Sequence, residues 1–282
     1  MLRSSQHVFI IGAQKAGTTW LQHVLDTDPR FATTTEQETF FFDRVEGRTE
    51  TDYEALYPRL RPGQISVDNS STYLTEPGII EGIHAFSHLL HGPPKVIGLL
   101  REPVSRAFSA YQMLLNYGRS YPDFLTALED CAHNTFRRKN LYAQHVKNWY
   151  EAFGPDHVRF FIYEDLITNK EQLLDELAAF LEVDHLSDYY GQRPVNVGGI
   201  DRSKWLPVAR GAVGRSLRGM GFSRTLHKLK RSRLVGYVES RNKEKMVLDD
   251  QTRREAAKLF EEDAHKVANI LNRPELPRRW GY

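Results

Sequence analysis

His7-Val8-Phe9-Ile10-Ile11-Gly12-Ala13-Gln14-Lys15-Ala16-Gly17-Thr18-Thr19-Trp20 is the stretch on which the fold turns. Val8 to Ile11 is an unbroken apolar run of strand length, the pattern of a strand covered on both faces. After the glycines, Trp20, Leu21, Val24 and Leu25 recur at helical spacing, so the order is strand, loop, helix. Asp28-Pro29 ends that helix, because proline removes a donor and biases the residue before it away from helical backbone. The loop from Gly12 to Gly17 has the form G-x-x-x-x-G. A turn of this kind brings unpaired backbone N–H groups and the positive end of a helix to one spot, which suits a phosphate. In a chain with 19 glycines the spacing alone recurs by chance about once, so its weight comes from the flanking strand and helix and from Lys15, Thr18 and Thr19. In ATPase loops a lysine follows the second glycine and a Ser/Thr that binds Mg²⁺ comes next. Here Thr18 follows Gly17 and the lysine stands at 15, so the motif itself requires no metal.

Outward from this unit, Ile65 to Val67, Lys95 to Leu100 and Val158 to Tyr163 read as strands. Asn140 to Phe153, Glu171 to Leu181 and a long run from Asp249 to Leu271 read as helices. Alternation of the two predicts an α/β, three-layer P-loop-type fold, with a central mostly parallel sheet flanked by helices. Residues 1–282 are expected to form a single domain, with a lid or loop segment at 190–235. Tyr190 to Gly221 within it carries seven glycines and two prolines.

Of the 282 residues, 40% are hydrophobic and 26% charged, which excludes collagen-like, low-complexity and wholly disordered classes. No segment reaches the roughly 18 apolar residues of a membrane span. Met1 to Gln6 is a short polar lead without room for a secretory core, so the cytoplasm is the expected compartment. A single cysteine, Cys131, excludes an internal disulfide and any multi-cysteine metal site. The net charge of +2 conceals an uneven distribution: Arg202 to Arg233 holds ten Lys/Arg and no acid, leaving 28 basic against 36 acidic residues elsewhere. Such a strip is either a solvated face or a contact for an anionic partner.

Two further blocks carry chemistry. Val96 to Leu100 runs into Arg101-Glu102-Pro103-Val104-Ser105-Arg106-Ala107-Phe108-Ser109, with Pro103 placed for a first helical turn. A guanidinium at a strand end and a hydroxyl two turns into the next helix can reach one dianion. Glu36-Gln37-Glu38-Thr39-Phe40-Phe41-Phe42-Asp43 sets carboxylates beside three phenylalanines, an apolar wall that would raise the pKa of a general base.

These blocks resemble the sulfotransferases that use 3′-phosphoadenosine-5′-phosphosulfate (PAPS), above all the bacterial and carbohydrate types. The resemblance implies that Lys15, Ala16, Gly17, Thr18, Thr19 and Trp20 form the 5′-phosphosulfate loop, and that Arg101 and Ser109 hold the 3′-phosphate. It makes Glu38 the catalytic base and gives Lys15 a catalytic role at the departing oxygen. Phe40 occupies a position where members often carry histidine or glutamine. Asn69, in Asp68-Asn69-Ser70-Ser71-Thr72-Tyr73, replaces a frequent lysine; with Ser70 and Phe40 it is the expected acceptor contact. Val195 to Lys204 resembles the late loop that closes over the nucleotide, with Arg202 favoured over Lys204 as its basic contact. Leu248 to Trp280 resembles the terminal helix and aromatic close of bacterial members. PAPS is then the co-substrate, 3′-phosphoadenosine-5′-phosphate (PAP) the product, and no metal is required. The acceptor is a hydroxyl or amine of a small molecule or glycan, with no nucleic-acid partner.

A nucleotide-dependent kinase of the same loop architecture and a non-catalytic polyanion binder acting through residues 202–233 are the rivals. The first lacks its Lys-Ser/Thr pair after Gly17, and the second leaves both phosphate motifs unexplained. His84, His88 and His91 have zinc-like spacing without a completing carboxylate or cysteine motif, so a solvated helix end is expected. Trp149, Tyr150, Phe153, Phe160, Phe161 and Tyr163 read as core, and Glu164 and Asp165 as caps of a turn.

Overall fold

The computed structural model describes residues 4–129, 138–187, 200–201, 243–244 and 246–282. Five strands form the central sheet: β1 (Gln6–Gly12), β2 (Phe31–Thr33), β3 (Ile65–Asn69), β4 (Lys95–Leu100) and β5 (Val158–Ile162). Their order is β2-β3-β1-β4-β5 and every pairing is parallel, as the alternating pattern predicts. β1 is central, and Val8 to Ile11 are fully buried, which is why this run is continuous rather than alternating. β2, the three-residue edge strand, has too few residues to leave a period in the sequence. β5 stops one residue short of expectation because Tyr163 already begins a helix.

Up to Phe180 the α-helices among the described residues are α1 (Thr18–Thr27), α2 (Glu50–Glu54), α3 (Ile79–Ala85), α4 (Pro103–Asn116), α5 (Phe124–Glu129), α6 (Tyr142–Phe153), α7 (Tyr163–Thr168) and α8 (Lys170–Phe180), and they flank the sheet. Glu102 caps α4, its two carboxylate oxygens accepting the N–H groups of Val104 and Ser105, each at 2.7 Å. Trp149 is buried, with its indole N–H donating to the Leu74 carbonyl at 3.3 Å, so the aromatic stripe is core.

Two expectations are corrected. The run from Asp249 to Leu271 is not one helix but two, Asp250–Ala257 and Glu261–Ile270. Ala256 and Phe260 pack into a small cluster with Val104, Ala107 and Tyr111, whereas Ala264, Val267 and Ala268 join the main core. The break lets one amphipathic run serve two cores. Glu164 and Asp165 fasten the carboxy-terminal helices rather than cap a turn. Glu164 accepts from the Glu102 N–H at 3.1 Å and the Trp280 indole at 3.0 Å, and Asp165 pairs with Arg273 and Arg279 at 3.1 and 2.6 Å. Ile200–Asp201 and Lys243–Glu244 pair antiparallel. Otherwise segment 190–235, with Arg202, Lys204 and the basic strip, and Cys131 lie outside the described residues. Among the described residues no helix is long and apolar enough to cross a membrane.

Candidate active site

β1 ends in the glycine loop at the centre of the sheet, the place where parallel α/β sheets open a crevice at their strand ends. Gly12 has φ +123°, and a Cβ there would come within 2.5 Å of the Ser71 carbonyl oxygen. The loop is drawn closed by Ala13 N–H on the Leu99 carbonyl at 2.7 Å and Ala16 N–H on the Ala13 carbonyl at 3.1 Å. Gly17, at φ +100°, is the N-cap of α1, which has neither a capping side chain nor an acid in its first turn. The N–H groups that such a helix start leaves unpaired within the helix are the phosphate-type donors expected from the sequence. Thr18 is buried and Thr19 half-buried, while Ala16 and Trp20 are buried.

Lys15 also has a left-handed backbone, φ +72°, a strained state for a residue with a Cβ. Arg101, at the end of β4, donates Nη1 to the Lys15 carbonyl at 3.0 Å, and its guanidinium lies 4.7 Å over the Tyr163 ring. Arg106, one turn into α4, is fully buried and donates to the Gln14 carbonyl at 3.2 Å and to Asn140. Two guanidiniums thus clamp successive carbonyls of the loop. Sequence reasoning missed Arg106, although a basic residue in phase with the core-facing Pro103 and Ala110 was a legible signal. Ser109 is half-buried, two turns along the same helix.

Ser70 and Leu74, just after β3, donate their N–H groups to Ile10 and Ile11 of β1. Ser71, between them, donates its N–H to Glu38 Oε1 at 3.0 Å. Since the Ser71 carbonyl also crowds Gly12, this places the Glu38 carboxylate at the foot of the loop. Gln37 adds a second link, donating Nε2 to Thr19 Oγ1 at 3.2 Å, and Glu36 is exposed. The expected three-phenylalanine wall does not form. Phe40 takes a left-handed turn, φ +46°, that sends Phe41 and Phe42 into the core and leaves Phe40 alone 36% exposed. Asp43, unassigned from sequence, accepts the Thr72 hydroxyl at 3.0 and 2.8 Å. Burial pushes its carboxyl up, and the nearby charges of Glu76 and Glu38 act in the same direction.

Asn69 and Ser70, expected at the acceptor, are buried in structural work. Asn69 Nδ2 donates to Gln22 Oε1 at 3.0 Å and to the Gln37 carbonyl at 2.9 Å, and Ser70 Oγ accepts the Phe40 N–H at 2.8 Å. Of the three histidines, His84 stacks on Phe153 and His88 meets Glu50 at 2.7 Å. No group of metal-ligating side chains occurs among the described residues.

The profile of the sulfotransferase domain family matches residues 5–192, a stretch that contains the loop, Glu38, Arg101 and Ser109. The chain belongs to the sulfotransferase family. The chain is 30% identical over 186 residues to mouse heparan sulfate glucosamine 3-O-sulfotransferase 6, covering 64% of this chain and 53% of that protein. Human heparan sulfate glucosamine 3-O-sulfotransferase 3B1 is 28% identical over 180 residues, covering 61% and 45%. The chain thus spans about half the length of the curated relatives it matches. Among solved structures, a sulfotransferase from Alicyclobacillus acidocaldarius aligns with TM-score 0.65 at 21% identity, over 95% of this chain and 96% of that one. Mouse sulfotransferase SULT7A1 complexed with PAP aligns with TM-score 0.52 at 18% identity, over 95% and 87%. At these identities the structures establish a shared fold.

Proposed function

We propose that this member of the sulfotransferase family moves the sulfuryl group of PAPS to a hydroxyl or amine of a small-molecule or glycan acceptor, with Glu38 as the base. The observation that carries this reading is the Glu38 carboxylate fixed on the Ser71 N–H beside Gly12, at the foot of the Gly12–Gly17 loop. The acceptor oxygen or nitrogen forms its bond to sulfur as the bond from sulfur to the bridging oxygen breaks. Glu38 takes the acceptor proton, and PAP departs with its new charge facing Lys15. As in phosphoryl transfer, positioning and electrostatics supply most of the catalysis. The first-turn amides of α1 with Thr18 and Thr19 hold the 5′ end, and Arg101 and Ser109 the 3′-phosphate. Relatives named for heparan sulfate support a glycan acceptor, and a fold neighbour complexed with PAP supports the nucleotide. The cytoplasm stays part of the reading.

PAP without added metal is expected to stabilise the protein by about 2.7 kcal/mol at a hundredfold excess over its dissociation constant, read as a thermal shift. A larger shift with ATP and Mg²⁺ and none with PAP would replace this reading with the kinase.

A further inference from the structure

A buried carboxylate lies behind the turn that carries Glu38. Asp68, on β3, is completely buried and has no ion pair among the described residues. Thr39 donates its hydroxyl to Asp68 Oδ1 at 2.6 Å, and Tyr53 donates to Oδ2 at 3.1 Å. Behind Tyr53, its hydroxyl oxygen and His7 Nε2 are 3.0 Å apart, and His7 Nδ1 lies 2.6 Å from Ser66 Oγ. An ionised carboxylate only accepts, so the Thr39 and Tyr53 hydroxyls both point their protons at it. Tyr53 gives its one proton to Asp68 and therefore accepts from His7, which leaves Nδ1 to accept from Ser66. Thr39 likewise gives its proton to Asp68, and the Tyr73 hydroxyl lies 3.0 Å from Thr39 Oγ1 and 3.5 Å from Asp68 Oδ2, its one proton shared between these two acceptors.

The Thr39 and Tyr73 hydroxyls also receive the backbone of the turn. Phe41 N–H reaches Thr39 Oγ1 at 3.3 Å, Phe42 N–H reaches the Tyr73 hydroxyl at 3.2 Å, and Thr39 N–H reaches the Asn69 carbonyl at 3.1 Å. The left-handed Phe40 is held between these bonds. Glu38, immediately before, depends on this turn to meet Ser71.

We propose that Asp68 is a positioning residue for Glu38, the common acceptor that orients the Thr39 and Tyr53 hydroxyls and so fixes the Thr39–Phe42 turn. The inference rests on the reading of Glu38 as base. A replacement at Asp68 with an amide would set an N–H₂ group against one hydroxyl and reverse the chain. Thr39→Val removes the link at nearly constant volume, and Thr39→Ser keeps it.

The test compares wild type with Asp68→Asn, Thr39→Val, Thr39→Ser and Glu38→Gln. The first readout needs no acceptor: the NMR shift of the Ser71 amide proton, followed across the titration of Glu38 and identified by its disappearance in Glu38→Gln. Thr39→Val is expected to lose most of this titration and Thr39→Ser to keep it; a full titration in Thr39→Val overturns the proposal. The second readout is transfer from PAPS. Asp68→Asn and Thr39→Val are expected to lower kcat by up to roughly 10²-fold. Their Kd for PAP should move less than about threefold. Thr39→Val added to Glu38→Gln should cost nothing more, because a group acting through Glu38 has nothing left to lose. Parallel loss of kcat and PAP affinity, or additive losses, would make the network merely structural. Glu38→Gln with undiminished turnover would sink the base itself. A dead Glu38→Gln beside fully active Asp68→Asn and Thr39→Val would sink only the positioning role. If Asp68→Asn does not fold, the Thr39 pair decides alone.

Discussion

Arg101 donates to the Lys15 carbonyl at 3.0 Å, so the side chain expected at the nucleotide's 3′-phosphate also shapes the loop expected to take its 5′ end. In the proposed site, one residue would then couple the two halves of the nucleotide.

From this coupling, Arg101→Ala should weaken PAP by roughly 1.5 to 3 kcal/mol, the worth of a charge-assisted contact. Adenosine 5′-phosphate, which has no 3′-phosphate, should also weaken, but by less, because the loop loses an anchor. Calorimetric titration of both nucleotides checks this. Equal losses would make Arg101 a loop anchor alone, and an unchanged 5′-phosphate affinity would deny the anchor.

Gly12 is the position where the loop tolerates no side chain. Gly12→Ala would drive a Cβ to 2.5 Å from the Ser71 carbonyl and require φ +123° of an alanine. Such overpacking costs about 1 to 3 kcal/mol. Because Ser71 holds Glu38, transfer should fall along with the melting temperature. A variant that melts and turns over like wild type would show that the two segments do not abut.

Titration of the buried network has opposing signs at its two ends. Burial lowers the pKa of His7 from 6.5 to about 3, so the stability it contributes is present above about 6.5 and lost as pH falls through 3. Burial raises that of Asp68 from 3.8 to about 6, so its contribution is present below 3.8 and lost as pH rises through 6. Between about pH 4 and about pH 6 the two slopes oppose each other. His7→Gln removes one of them. Relative to wild type, its unfolding free energy should decline as pH rises across that window, by up to about 1.4 kcal/mol per unit. Urea melts at several pH values would show it; a constant difference would mean that His7 titrates alike folded and unfolded.

What the sequence made legible follows from the range of the interactions. The strands around Val8, Val67, Val96 and Phe160 and the loop from Gly12 to Gly17 announce themselves through local period and spacing. So does the parallel sheet, because unbroken apolar runs alternate with helical ones. Contacts across long separations do not. Nothing near Ser71 in the chain marks it as the partner of Glu38, and Asp68 shows its burial only where β3 meets β1. The left-handed Phe40 turned an apparent row of three phenylalanines into one exposed ring and two core residues, a change that the Phe-Phe-Phe pattern hides. Arg106 was readable in principle, from its phase on α4, but its partners, the Gln14 carbonyl and Asn140, lie far from it in the chain.

The most direct test of the account is transfer of the sulfuryl group from PAPS, followed by product mass across a panel of sugars, phenols, amines and sterols, with wild type and Glu38→Gln side by side. The account predicts a product heavier by one sulfuryl group for at least one acceptor. It predicts a fall of roughly 10² to 10⁴ in turnover for Glu38→Gln, about 3 to 5 kcal/mol in the barrier, with PAP affinity retained. Glu36→Gln, altering an exposed side chain, should do far less. Full turnover by Glu38→Gln on the same acceptor would contradict the account.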